Sequence, residues 1–260
     1  MRNPATGETF ARISTCGRAE VAQALADAQA AFPAWRAQTG RARGDVLLRI
    51  AAEVERRKDE FARTITLENG KPLAQAAGEV AMTIDHLRWF AEEARRGYGR
   101  VIPPQADGKR HIVTKVPIGV SAAISPWNFP IVLGVRKVAP ALAAGCPSIL
   151  KPASATPLCA VLFAECVHAA GVPKGVFQLV AGGAAEIAGE FLANPICRKI
   201  SFTGSTEVGR AIRRATAGTG KALTLELGGK SPYIVFDDAD HDSAIEGLVD
   251  AIRFNGRQVC

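Results

Sequence analysis

The sequence contains no CxxC pair, no grouping of cysteine with its four histidines, no internal repeat, no low-complexity tract and no long linker. Its six cysteines, Cys16, Cys146, Cys159, Cys166, Cys197 and Cys260, are scattered along the chain. That spread argues against a disulfide framework and against a zinc-type centre, so no metal is expected and a reducing, cytoplasmic setting is. Long apolar runs are missing as well. The opening MRNPATGETF lacks the apolar stretch of a signal peptide, and the most apolar zone, 116–150, is interrupted by Pro117, Pro126, Pro130, Pro140 and Pro147. Neither a leader nor a membrane partner is expected.

What is present suits a large folded domain: 260 residues with 48% hydrophobic content can bury a sizeable core. The net charge of +7 comes from arginines that sit in pairs beside acidic residues, such as Arg56-Arg57, Arg95-Arg96 and Arg213-Arg214. This is the pattern of solvated helix faces, so no nucleic-acid partner is expected, although the surplus would suit an anionic cofactor.

Two rhythms divide the chain. In the first hundred residues, Val21, Leu25, Ala28, Phe32 and Trp35 recur at helical spacing, and Leu47, Ile50, Val54, Phe61 and Ile65 do the same. Gly70 reads as a helix C-cap and Pro72 as the start of a third helix that runs through Trp89 to about Gly97. From residue 112 onward, short apolar runs at 116–124, 148–150, 176–180, 199–202, 222–227 and 233–236 alternate with helix-length stretches beginning near Pro157, Ala184, Ser205 and Asp240. That alternation predicts an α/β fold, a doubly wound parallel sheet with a helical N-terminal layer. Ligands of such sheets bind beyond the carboxyl ends of the strands, which is where the informative residues stand.

After 199–202 comes Thr203-Gly204-Ser205-Thr206-Glu207-Val208-Gly209, a turn into a helix start that could receive phosphate, although spacing alone fits packing glycines as well. After 148–150 come Lys151, Pro152 and Ser154, the lysine reaching toward ribose or phosphate or simply closing the sheet. In Ser125-Pro126-Trp127-Asn128-Phe129-Pro130 two prolines bracket a loop whose asparagine amide is a neutral donor for an oxyanion, or else a turn residue. Glu226 lies between Leu225 and Leu227, where desolvation would favour a base working near neutral pH, unless a lysine pairs it. Cys260 follows Asn255 and Gln258 and is a nucleophile if a base or a helix end gives it thiolate character.

Together SPWNFP, LKPAS-x-TP, SFTGSTEVGR, LELGGKSP and N-x-x-Q-x-C, in this order, resemble the aldehyde dehydrogenase superfamily from NPAT near residue 3 to the last residue. LENGKP (67–72) and PALAAGC (140–146) are most similar to its succinate-semialdehyde branch. The resemblance implies a Rossmann-like cofactor domain at 111–238, a helical part at 1–110 packing on it, and the start of a catalytic domain at 239–260. The chain then reads as the N-terminal fragment of a longer, homo-oligomeric enzyme. Cys260 would be the nucleophile, Asn128 the oxyanion donor and Glu226 the hydrolytic base. Ile124, Ser125, Trp127, Lys151, Ser154, Gly204, Ser205 and Leu227 would line the NAD or NADP site, and Arg136 would hold a substrate carboxylate. Ser154, standing where strict NAD users tend to carry glutamate, makes NADP acceptable. This family binds its dinucleotide without GxGxxG, which is absent here too.

Two departures stand out. The family pattern N-x-G-Q-x-C has glycine three residues before the cysteine, where this chain has Arg257. A branch arginine six residues before the cysteine is replaced by Phe254. The substrate expected is therefore an aldehyde, ω-carboxylated semialdehydes included. The alternative is a non-catalytic nucleotide-binding remnant of the same fold.

Overall fold

The computed structural model describes residues 1–259. Nine helices among them are α1 (Arg18–Arg36), α2 (Gly40–Arg56), α3 (Lys58–Asn69), α4 (Leu73–Glu93), α5 (Val132–Ala143), α6 (Leu158–Ala169), α7 (Ala184–Ala193), α8 (Thr206–Thr216) and α9 (His241–Arg253). An antiparallel hairpin joins β1 (Arg100–Ile102) to β2 (His111–Val113). The strands β3 (Val120–Ile124), β4 (Ser148–Lys151), β5 (Phe177–Leu179), β6 (Cys197–Gly204) and β7 (Ala222–Leu227) form one parallel sheet in the order β5-β4-β3-β6-β7.

The expected helix starts coincide with observed caps. Ser205 accepts the N–H of Val208 at the start of α8, and Asp240 accepts that of Ser243 at the start of α9. Gly70 ends α3 at φ +81°, a left-handed conformation that glycine adopts without a Cβ penalty. Two strand expectations need correction. The first strand of the parallel sheet, β3, begins at Val120 rather than 116, because Pro117 has no N–H to give a ladder. The run 233–236 forms no strand: it finds no partner among the described residues, and Ile234 and Phe236 stand 70% and 69% exposed.

Alternation along each strand decides which helices each face of the sheet meets. Val120, Ala122, Ile149, Ile200 and Phe202 face one side of the sheet, where Val21, Leu25 and Ala28 of α1 pack with Ile187, Phe191 and Ile212 from α7 and α8. Ala123 and Leu150 face the other side and meet α5 and α6, behind which α2, α3 and α4 bury Leu47, Ile50, Phe61, Ile65 and Leu87. The N-terminal helices are thus divided between both faces, and Trp35 joins the two halves. Its ring is 1% exposed and its indole N–H donates to the carbonyl of Leu142 in α5 at 3.2 Å. The strand order reverses between β3 and β6, so the loops leaving these two strands diverge and open a crevice between them. Replacing Trp35 by alanine should lower the unfolding free energy by about 3–5 kcal/mol, the usual cost of emptying a buried tryptophan site, measured as a lower urea midpoint with an unchanged native circular dichroism spectrum.

Candidate active site

The loop after β3 is fixed by its carbonyls. The side-chain amide of Asn69 donates to the Trp127 carbonyl at 3.0 Å, and the ammonium of Lys71 donates to the Asn128 carbonyl at 3.0 Å. Both donors sit at the end of α3 and in the link to α4. Ser125, buried at the root of the loop, donates its N–H to the Lys151 carbonyl, while its hydroxyl oxygen is buried without a partner. Trp127 is half exposed.

On the neighbouring strand Gly204 is required by close approach, since a Cβ there would lie 2.5 Å from the ring of Phe202. Ser205 then caps α8 by accepting the N–H of Val208, and the other N–H groups of the first turn have no partner within the helix. One strand further, Glu226 pairs in register with Thr203 and Leu227 with Gly204. Trp127, Asn128, Gly204, Ser205, Glu226 and Leu227 line a crevice of about 270 Å³. Glu226 is exposed, so the desolvation expected from its leucine neighbours does not occur: alternation turns Leu225 and Leu227 toward α8 and leaves the carboxylate on the opposite face.

The far wall of the crevice is the turn after α9, contributed by Arg257, Gln258 and Val259. Asn255, 1% exposed, adopts φ +53° and Arg257 φ +68°. The second is a left-handed position held by a residue that carries a Cβ, at the place where the family pattern has glycine. Two hydrogen bonds bind this turn to the loop after β3, and a third closes the turn on itself. The Asn255 side-chain amide donates to the carbonyls of Asn128 (3.0 Å) and Gln258 (2.9 Å), and the Asn128 side-chain amide donates to the Gln258 carbonyl at 2.7 Å. Cys260, named above as the nucleophile, lies outside the described residues; Val259, its chain neighbour, is in the crevice wall.

The remaining expected residues sit around this centre. Ile124, the last residue of β3, pairs in register with Lys151 of β4. Lys151 is buried and forms no ion pair among the described residues, and burial lowers the pKa of its ammonium. Ser154, exposed, donates its hydroxyl to the Gly182 carbonyl at 3.1 Å. Arg136 does not line the crevice. It donates to His86 Nε2 at 3.0 Å and to the Met82 sulfur, and borders a second cavity of about 280 Å³ beside Lys137 and Thr224.

The sequence profile of the aldehyde dehydrogenase family matches residues 1–260. The chain is 51% identical to glutarate-semialdehyde dehydrogenase of Pseudomonas aeruginosa, covering 100% of this chain and 54% of that protein. It is 48% identical to the Escherichia coli protein named succinate-semialdehyde dehydrogenase [NADP(+)], again covering 100% of this chain and 54% of the relative. A crystal structure of succinate-semialdehyde dehydrogenase from Burkholderia pseudomallei superposes with a TM-score of 0.98 at 49% identity, covering 100% and 54% respectively. The chain thus spans about half the length of the relatives it matches.

One residue of the site escaped the sequence reading. Lys137 lies on the face of α5 that meets the sheet and donates to the Thr203 hydroxyl at 2.5 Å. The signal was available, a lysine at a core-facing position of the apolar helix VLGVRKVAPALA, yet Arg136 beside it drew attention to the exposed face. Burial pushes the Lys137 ammonium down to about 8; attraction to Glu226 opposes this shift and Arg136 adds to it. The unfolded chain holds this proton up to the ordinary lysine value, so between about 8 and 10.5 it binds more protons than the folded chain, and the stability contributed by this group rises with pH. The stability of Lys137→Met relative to the parent should therefore be greatest below pH 8 and decline toward pH 10, read from urea midpoints at several pH values.

Proposed function

Because the chain belongs to the aldehyde dehydrogenase family, we propose that it forms the cofactor half of an NAD(P)-dependent enzyme that oxidises an aldehyde to a carboxylic acid through a thioester on Cys260. The supporting observation is the convergence on one crevice of the Asn128 amide, the Glu226 carboxylate and the turn that leads directly into Cys260. A carboxamide has two N–H donors. One is used on the Gln258 carbonyl, which leaves the other for the oxyanion that appears when the Cys260 thiolate adds to the aldehyde carbon. Glu226, exposed to solvent, takes the proton of the water that hydrolyses the thioester.

The residues present suit a dinucleotide. Lys151 has no anionic partner among the described residues, the Ser125 hydroxyl oxygen is buried without one, and the N-terminus of α8 opens beside Gly204. Lys151 and Ser154 would hold the ribose end, Ser125, Gly204 and Ser205 the phosphates, and Ile124, Trp127 and Leu227 the ring faces. When bound, the dinucleotide supplies the hydride acceptor. No carboxylate stands at Ser154 to repel a ribose phosphate, so NADP is accepted, in keeping with the name of the Escherichia coli relative.

The substrate is a short semialdehyde with a distal carboxylate. The names of the relatives, glutarate-semialdehyde and succinate-semialdehyde dehydrogenase, support this reading, whereas Arg136 lies outside the crevice. In the same reading residues 1–110 brace the cofactor domain at 111–238, and 239–260 opens the catalytic part. The hairpin β1–β2 serves self-association, in line with Val101 and Ile112 at 81% and 67% exposure.

In protein carrying this chain at the length of its relatives, Cys260→Ala should abolish aldehyde oxidation and leave dinucleotide affinity within about twofold, since the thiol forms only the reacting bond. Glu226→Gln should keep the first turnover and slow the later ones, giving a stopped-flow burst of reduced cofactor close to one per site. A Glu226→Gln enzyme with slow turnover and no burst would contradict the role given to the carboxylate.

A further inference from the structure

The buried ion pair of Lys71 and Glu79 lies behind the loop that carries Asn128, and both side chains are 1% exposed. Each group is fully engaged. The Lys71 ammonium contacts the Glu79 carboxylate, donates to the Asn128 carbonyl at 3.0 Å, and stands 4.1 Å from the centre of the Phe129 ring. The Glu79 carboxylate also accepts the N–H groups of Ile131 (3.0 Å) and Val132 (3.2 Å), where the loop enters α5. Both ends of 128–132 are therefore held by one pair of charges from the other side of the core.

Stability alone does not account for such a pair. Removing two charges from water is costly, and apolar side chains of similar volume commonly serve a core as well or better. What charges provide here is direction. The Asn128 carbonyl receives two donors, Lys71 from the helical layer and Asn255 from the turn before Cys260. Two donors converging on one carbonyl fix the peptide plane, and with it the line along which the Asn128 side chain leaves the backbone.

We propose that Lys71, held by Glu79, is a positioning residue that orients the Asn128 amide toward the reacting carbonyl. The inference rests on the reading of Asn128 as the oxyanion donor. It assigns to the segment Asn69–Lys71 a role in transition-state stabilisation that reaches the substrate only through the loop after β3.

The test uses Lys71→Met/Glu79→Gln, which removes both charges, preserves volume, and keeps an oxygen for the N–H groups of Ile131 and Val132. In protein carrying this chain at the length of its relatives, kcat should fall about 10- to 100-fold, less than the roughly 10²- to 10³-fold typical of deleting an oxyanion donor, with dinucleotide affinity unchanged. Asn128→Ala is the reference. Added to Asn128→Ala, the double substitution should cost nothing further, because its effect passes through the missing amide. An unchanged kcat, or losses that multiply on the Asn128→Ala background, would overturn the proposal.

Should Asn128→Ala itself retain full activity, the oxyanion reading fails, and orientation is judged separately from the nuclear magnetic resonance signals of the Asn128 side-chain amide in this chain. Their displacement in the double variant supports the positioning role, and unchanged signals overturn it. If the double variant does not fold, Glu79→Gln alone is subject to the same readings.

Discussion

Two backbone carbonyls, those of Trp127 and Asn128, are the points on which this architecture turns. A parallel sheet delivers its loops to one edge, but a loop leaving a strand is not rigid by itself. Here Asn69 and Lys71 hold the two carbonyls from behind, and Asn255 reaches the second from the front. The loop after β3 is thereby clamped between the helical layer and the turn that precedes Cys260. Lines of force from three distant parts of the sequence meet at one peptide unit.

The same logic extends to the helices around it. Glu68, next to Asn69, is buried at 4% exposure and accepts the N–H groups of Leu158 (2.7 Å) and Cys159 (3.0 Å) at the start of α6. Glu79 does this for α5. Carboxylates from the N-terminal helices thus complement the positive ends of two helices that flank the parallel sheet. Burial raises the pKa of the Glu68 carboxyl, and the two backbone donors oppose that shift. The stretch LENGKP is therefore a junction between layers, with one residue per attachment.

Much of this was legible in the sequence where the rule is local. The caps at Ser205 and Asp240, the left-handed stop at Gly70 and the strand runs around Ile149 and Leu225 follow from spacing and turn chemistry. Trp127, Asn128, Gly204, Ser205, Glu226 and Leu227 were identifiable because they end or follow strands of a doubly wound sheet. What escaped was long-range. Lys71 in the link between α3 and α4 and Glu79 in α4 look like ordinary charged residues until the fold buries them together, and Lys137 looks like one more basic residue beside Arg136. Residues 233–236 carry a strand pattern, but a strand is made by its neighbour, and none is available among the described residues. Glu226 failed in the opposite sense: its leucine neighbours suggested burial, while the two-residue period places it on the open face.

In the proposed chemistry the Cys260 sulfur bonds the aldehyde carbon within reach of the Asn128 amide and the Glu226 carboxylate. The most direct test of this chemistry is mass spectrometry of protein carrying this chain at the length of its relatives, with Glu226→Gln, quenched in acid during oxidation of glutarate semialdehyde with NADP⁺. The account predicts one glutaryl thioester per chain, on the peptide that contains Cys260. An adduct on any other cysteine, or turnover with no acylated peptide at all, would contradict it.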